Sequence, residues 1–540
     1  MNKIAIIILL TGVSLCSSAQ QRVCEQFPLH SVRLLPSRFM DNFKRDSAWM
    51  MSMPVSSLLH SFRTNAGVYS GNEGGYLSAY SEGLIDRNIR GQKVWAPWYT
   101  LHKIVQGLID QYQIAGNDTA LAIAKRMGVW AYNKTKDNSE DVRKLMIRNE
   151  FGGFNEAMYE LYAITKDERY LKVANYFYHN DKIDPLKHGN DDLGTNHANT
   201  FIPKLLGEAR RYELFGDEES RRAAELLFYT LADKHAFVNG EVSDKEHLFA
   251  PGTQSKHLTG YDGENCCTYN LLKLADHVFS WNTDSKVIDY YERALYNHIL
   301  GQQDPESSML CYFTPLMTGA YRLYSTRDSS FWCCVGSGFE SNVKYASSIY
   351  FHSDDALWVN LFIPSQVDWN GTVVKQETSF PESGNVRLTV SGRSRHFTLH
   401  LRRPYWAASM TVRVNGKRTN KTDITRTWAE GDAVDVDYGM KLTEQALADD
   451  ASRVALMYGP IVLAGNMGDV AHPFSDPTKY NDYYTYNFNV PQSVTDSATY
   501  HSLKDISHVK GLTFETKSGV SIVPFYDAHH CRYTVYWKKK

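Results

Sequence analysis

Two short segments carry residue types that do chemistry. Gly263-Glu264-Asn265-Cys266-Cys267 sets a carboxylate two positions before a cysteine pair, and Phe331-Trp332-Cys333-Cys334 supplies a second pair well downstream. One carboxylate and three thiolates form a four-donor set of the kind Zn²⁺ accepts tetrahedrally. Each segment stands just before a helical pattern, the first before Leu271–Phe279, and helix N-termini favour anionic thiolates and carboxylates. Plainer readings stand beside this one. Adjacent cysteines are most often small buried side chains, Cys266 and Cys333 could form a disulfide, and the common C-x2-C metal spacing is missing. Gly263 and Gly336-Ser337-Gly338 allow close backbone approach, and Trp332, Tyr269, Tyr312 and Glu292 crowd the neighbourhood.

Three further residues are weaker candidates. Glu246 lies in Ser243-Asp-Lys-Glu-His-Leu-Phe, His102 in Trp98-Tyr-Thr-Leu-His-Lys and His197 in Thr195-Asn-His-Ala-Asn. Alone, such a Glu reads as a solvated surface carboxylate and such histidines as hydrogen-bonded structural residues.

The elements that must position these residues are helical from about 40 to 345. Leu101, Ile104, Val105, Leu108 and Tyr112 mark one buried face. Tyr112-Gln-Ile-Ala-Gly-Asn-Asp118, Tyr162-Ala-Ile-Thr-Lys-Asp167 and Tyr212-Glu-Leu-Phe-Gly-Asp217 repeat one pattern, with a looser copy at Phe279-Ser-Trp-Asn-Thr-Asp284. Each is an aromatic closing one helix, a polar turn, and an Asp placed to start the next. A repeat of about 50 residues is an αα-hairpin, and about six in series predict an (α/α)6 barrel over residues 20–348, after a short lead-in. From 349 to 540 the pattern alternates, as in Val386-Arg-Leu-Thr-Val and His396-Phe-Thr-Leu-His-Leu, with a hairpin signal at Asn415-Gly416. This predicts a β-sandwich with a C-terminal extension, interrupted by a polar Tyr/Asp/Asn-rich excursion over 466–500. The chain is therefore multidomain, α then β.

Bulk charge excludes some partners. With 58 basic and 60 acidic residues the net charge is −2, which gives no footprint for nucleic acid or an anionic membrane. Aromatics reach 13%, with 34 Tyr and 11 Trp, which suits sugar faces but also builds large cores. Lys3, the apolar run Ile4–Leu15 and Ser17-Ser-Ala19 read as a signal peptide over 1–19. That run is shorter than the ~20 residues a bilayer span needs, and no other run is long enough. The expectation is export to the periplasm or medium. Cys16 raises a surface-lipoprotein alternative, which Leu15 immediately before it disfavours. Removing Cys16 leaves an odd, sparse set of cysteines, and thiols kept reduced outside the cytoplasm need protection that a metal gives.

Glu264-Asn-Cys-Cys-Thr-Tyr-Asn-Leu-Leu-Lys-Leu, Trp332-Cys-Cys-Val-Gly-Ser-Gly, Glu292-Arg-Ala-Leu-Tyr-Asn-His, Val523-Pro-Phe-Tyr and His530-Cys-Arg-Tyr-Thr-Val-Tyr-Trp resemble glycoside hydrolase family 127 and its relative family 146. The resemblance runs from about Leu35 to Trp537. It implies an (α/α)6 barrel with a β-sandwich and β-L-arabinofuranosidase activity on an arabinose-containing oligo- or polysaccharide of plant type. It implies Cys333 as nucleophile and zinc ligand, with Glu264, Cys266 and Cys334 as the other ligands and Cys267 as a packed neighbour. Glu246 matches the general acid/base, although Gly240-Glu-Val-Ser-Asp-Lys-Glu-His-Leu lacks the second Gly and the Asn of the family's stretch. Glu292, Tyr312, His197 and His102 fall where the family contacts sugar. The implied chemistry is retaining, through a thioglycosyl-enzyme. Two other classes remain open at this point: a hydrolase or lyase using paired carboxylates with structural cysteines, and a non-catalytic glycan-binding protein.

Overall fold

The computed structural model describes residues 22–66, 75–327, 330–470 and 486–540. The expected leader, residues 1–19, lies outside the described residues. No helix among the described residues is long and apolar enough to cross a membrane.

Helical hairpins dominate the first part. The pairs are α2 (Pro97–Ala115) with α3 (Asp118–Thr135), α4 (Phe154–Thr165) with α5 (Glu168–Tyr176), α6 (Ala198–Phe215) with α7 (Glu218–Thr230), and α8 (Asn265–Asn282) with α9 (Ser285–Ala294). The repeated sequence pattern has one physical cause. Gly116, Lys166, Gly216 and Thr283 each end a helix in the left-handed region, at φ 66°, 58°, 69° and 53°. The next residue then caps the following helix with its side chain: Asn117, Asp167, Asp217 and Asp284 accept from Ala120, Arg169, Ser220 and Lys286 N–H. In the first copy the cap is Asn117 and not the expected Asp118. A fifth pair joins α1 (Arg38–Ser52) to α10 (Cys333–Val343), with Trp49 stacked on Phe339 at 4.4 Å. Helices α2, α4, α6, α8 and α10 pack side by side in that order, with their partners outside. Four of the six expected hairpins and one pair closed between the two ends of the helical region are thus formed by described residues, and residues 67–74 fall in the stretch left for the remaining one.

Alternation after residue 349 builds three sheets. The five-stranded sheet runs Glu25–Gln26, Tyr350–His352, Ala356–Val359, Arg395–Leu401, Asp423–Trp428. The seven-stranded sheet runs Lys417–Thr419, Met410–Val414, Ala433–Tyr438, Asn385–Gly392, Thr372–Thr378, Ser365–Trp369, Val32–Leu34. Their facing residues, among them Val386, Leu388, Val390, Phe397, Leu399 and Trp428, share one core, which is the expected sandwich. Asn415 and Gly416 both have positive φ, as the hairpin signal requires. Two boundaries differ from the sequence reading. The lead-in supplies an edge strand to each sandwich sheet and so belongs with the sandwich more than with the barrel. The C-terminal extension is itself a nine-stranded sheet beginning at Leu442–Ala446.

Candidate active site

Two neighbouring inner helices bring the cysteine motifs together. Glu264 is the N-cap of α8, with Cys266 and Cys267 in its first turn, while Cys333 and Cys334 open α10. The thiols thus lie inside the first turns, where unpaired N–H groups and the positive helix end favour anions. Donor atoms of Glu264, Cys266, Cys333 and Cys334 all lie within 4.8 Å of one another. The Cys266 and Cys334 sulfurs are 3.3 Å apart, and Cys334 Sγ is 4.0 Å from Glu264 Oε1. A disulfide requires about 2.05 Å, and every described cysteine is free, so the disulfide alternative falls.

The cluster is braced from behind. Asn265 Nδ2 donates to Cys334 O at 3.0 Å and ties one motif to the other, and Ser337 Oγ donates to Cys266 Sγ at 3.1 Å. Cys267, expected only to pack, donates its thiol to Glu264 Oε2 at 2.9 Å and fixes that carboxylate. His298, fully buried in a π-helical turn over Leu295–Ile299, brackets the ligand loop. Its Nε2 lies 3.1 Å from Gly263 O and its Nδ1 2.8 Å from Thr268 Oγ1. Gly263 is obligatory here: φ is +67°, and a Cβ would sit 1.8 Å from Glu241 Oε2.

The electrostatics of this cluster call for a cation. Burial pushes Glu264, Cys266 and Cys334 well above their usual pKa values, and neighbouring acidic groups push the same way. Cys333 alone is held well below the thiol range, chiefly by its hydrogen-bond contacts with Cys266 and Cys334. It is also the only one of the four that is partly exposed. Four acidic donors cannot all lose protons in so small a volume unless a positive charge is added. The donor set and its spacing fit zinc, whose sulfur ligands at about 2.3 Å stand about 3.8 Å from one another.

Glu246 reaches this cluster through one hydroxyl. Tyr312 Oη lies 3.8 Å from Cys333 Sγ and donates a short hydrogen bond to Glu246 Oε1. His197 Nε2 is 3.3 Å from Glu246 Oε2, while its Nδ1 accepts from Thr200 N at the start of α6. Burial lowers the His197 pKa, but the hydrogen bond and charge of Glu246 outweigh it and the net shift is upward. Lys245 and Glu246 form the tip of a two-residue hairpin, with Asp244 and His247 exchanging both backbone hydrogen bonds at 3.0 Å. Both tip residues have positive φ, 48° and 68°, which neither side chain favours. Such backbone costs about 1–3 kcal/mol per residue and clusters at functional sites. Ala198 N–H donating to Glu246 O at 2.8 Å is one of the contacts that hold it.

Of the other expected contacts, His102 is 3% exposed and accepts from Gly153 N at 3.1 Å on Nδ1. Burial lowers its pKa well below the usual value, so the ring is neutral with its proton on Nε2, a donor with no partner among the described residues. Tyr99 and Glu150 were not flagged by the sequence. Tyr99 feels the charges of Cys266, Cys333, Glu150 and Glu264, and Glu150 takes a short hydrogen bond from the Thr200 hydroxyl. Both precede or open helices whose N-termini face the cluster, a placement that only the barrel's closure reveals.

Glu292 is a correction. It is wholly buried on α9, pairs with Arg402 and accepts from Trp406 Nε1 at 2.7 Å, with Asp289 also 2.6 Å from Arg402. It therefore joins the barrel to the sandwich, where no sugar reaches it. Glu292→Ala is expected to cost about 3–5 kcal/mol, because it leaves the buried Arg402 guanidinium with Asp289 alone and the buried Trp406 N–H without its acceptor. Chemical denaturation would measure that loss, and kcat of the remaining folded protein should be unchanged.

Comparison with known proteins bears on the family and the fold. The model for the beta-L-arabinofuranosidase GH127 catalytic domain matches residues 70–347 and that for the GH127 middle domain residues 356–440. Residues 443–539 match a domain of unknown function. The non-reducing end beta-L-arabinofuranosidase of Bifidobacterium longum subsp. longum is 23% identical over 432 residues, 69% of this chain and 65% of that relative. The chain thus spans slightly less than two thirds of that relative's length. A solved GH127 beta-arabinofuranosidase superposes with a TM-score of 0.71 at 16% identity, covering 96% of this chain and 98% of that one. The GH127 beta-L-arabinofuranosidase of Geobacillus stearothermophilus T6 gives 0.69 at 18%, covering 94% and 100%. At such identities the structures attest a shared fold, whereas the catalytic-domain model covers just over half of the chain, and on that match the protein belongs to glycoside hydrolase family GH127.

Proposed function

We propose that the protein is a retaining β-L-arabinofuranosidase, using Cys333 as nucleophile and Glu246 as acid/base. The observation that carries the reading is the single Tyr312 hydroxyl between Cys333 Sγ and the Glu246 carboxylate. A pair separated by about one oxygen suits direct attack, whereas inverting pairs stand about 6.5–9.5 Å apart to admit water. Glu264, Cys266, Cys333 and Cys334 would hold zinc, which when bound keeps the thiols deprotonated and protected from oxidation.

The chain's own residues account for the proton traffic. Cys333 Sγ bonds to the anomeric carbon as the glycosidic C–O bond breaks, and protonated Glu246 gives its proton to the leaving oxygen. Glu246, now a carboxylate, takes a proton from water as that water displaces the sulfur, restoring both groups and the anomeric configuration. His197 and Tyr312 hold the carboxylate in place, and His102 Nε2–H is available to a sugar hydroxyl. The substrate is proposed to be a plant-type glycan bearing L-arabinofuranose, met in the periplasm or outside the cell after removal of residues 1–19.

A panel of p-nitrophenyl furanosides and pyranosides tests this directly, assayed with and without chelator beside a zinc measurement on the same sample. Release from the β-L-arabinofuranoside alone, lost on chelation and regained with Zn²⁺, is the expected result. Activity that survives complete zinc removal would return the cysteines to a structural role.

A further inference from the structure

Residues 443–539 match a domain to which no function is attached, yet part of it lies against the reaction centre. Tyr486, Phe488 and Val490, in the second half of the polar excursion, pack in one apolar cluster with Cys266, Cys334, Tyr312, Trp332 and Cys333. Phe488 is 3% exposed, and its ring fits so closely over Gly260 that a Cβ there would be 2.4 Å from it. Arg532, in the sheet's strand Cys531–Thr534, donates to Phe488 O at 3.0 Å and to Gly319 O at 2.8 Å, anchoring the segment to the sheet.

From there two steps lead to Glu246. Tyr261 Oη donates to Tyr486 O at 3.2 Å, and the Tyr486 and Tyr321 hydroxyls are 2.5 Å apart. The Tyr261 carbonyl in turn accepts from Lys245 N at 3.0 Å, and Lys245 Nζ lies over the Tyr261 ring at 5.2 Å. Lys245 is the first of the two left-handed residues at the hairpin tip. A turn in that conformation persists only where its surroundings over-determine it. The barrel holds the Glu246 side of the tip through Ala198, and Tyr261 holds the Lys245 side.

We propose that residues 486–490 are a positioning element for the acid/base. On this view the C-terminal sheet keeps the Lys245-Glu246 tip wound, so that the carboxyl proton meets the leaving oxygen. The inference rests on the Glu246 assignment above and adds a task for a domain that had none.

The test uses full-length Phe488→Ala, with Phe488→Leu and Tyr486→Phe as milder variants, on methyl and p-nitrophenyl β-L-arabinofuranosides. Here kcat/KM reports cleavage of the first bond, and only the methyl glycoside depends strongly on proton donation. Phe488→Ala is expected to lower kcat/KM for the methyl glycoside about 10–100-fold and for the p-nitrophenyl glycoside less than about threefold, with zinc content unchanged. The milder variants should show the same ordering with smaller factors, so a poorly folding alanine variant still leaves a result. Equal losses on both glycosides, or none, would overturn the proposal. A wild-type protein that turns over neither glycoside would instead sink the functional reading, and this inference with it.

Discussion

Cys333→Ala should abolish turnover of an aryl β-L-arabinofuranoside, lowering kcat on the order of 10⁴-fold or more, as removal of a nucleophile does in other covalent mechanisms. Two features single out this thiol. It is the partly exposed member of an otherwise buried quartet, and it is the one held well below the thiol range by its neighbours' hydrogen bonds. Glu264, Cys266 and Cys334 remain in the variant, so metal retention and the thermal transition should change far less than kcat. Mass spectrometry of acid-quenched protein adds a readout besides rate. The wild type should carry one pentosyl adduct during turnover, lost in Cys333→Ala. A variant with normal activity would transfer the chemistry elsewhere in the site.

Glu246→Gln carries the second large effect. The amide keeps the shape of the side chain but has no acidic proton, so kcat/KM on alkyl glycosides should fall about 10²–10⁴-fold. Its sign can be checked without turnover. Burial alone lowers the His197 pKa, and the Glu246 carboxylate reverses that shift through its hydrogen bond and charge. Removing the charge takes away the largest opposition to burial and leaves only the weaker pull of Glu150 and Cys333, so the imidazole should titrate lower in the variant. Histidine resonances followed by NMR across the neutral range would show this. An unmoved His197 would mean that the 3.3 Å contact carries no charge interaction.

How much of this is legible in the chain varies with the physics. The cysteine quartet is readable because Cys is rare and its two pairs precede helical patterns, although α8 starts at Asn265 and so encloses the thiols. The hairpin repeat is readable because a left-handed residue followed by a capping Asx leaves a local trace. Glu246 is not: nothing in Asp244-Lys-Glu-His announces a left-handed tip, and only the family resemblance selects it. Glu292 shows the opposite failure. Its motif resembles the family's, but a resemblance does not say which face of α9 a carboxylate occupies, and Arg402, just past a strand distant in sequence, claims it. Tyr99, Glu150, Tyr486 and Phe488 gain their places only from contacts between segments far apart in sequence, whereas the Cys267 contact is local, three residues from Glu264.

The wound tip at Lys245-Glu246 has a consequence for anyone wishing to lengthen the working life of this catalyst. Searches for heat-tolerant variants reward relief of unfavourable backbone, and Lys245→Gly or Lys245→Asn would be prominent among their hits. A glycine there accepts the same φ without penalty but also accepts many others, so durability would be gained at the point where, on the proposed mechanism, orientation of the proton donor is set. Selection on residual activity after heating, and not on melting temperature, would keep the two properties from being traded unseen.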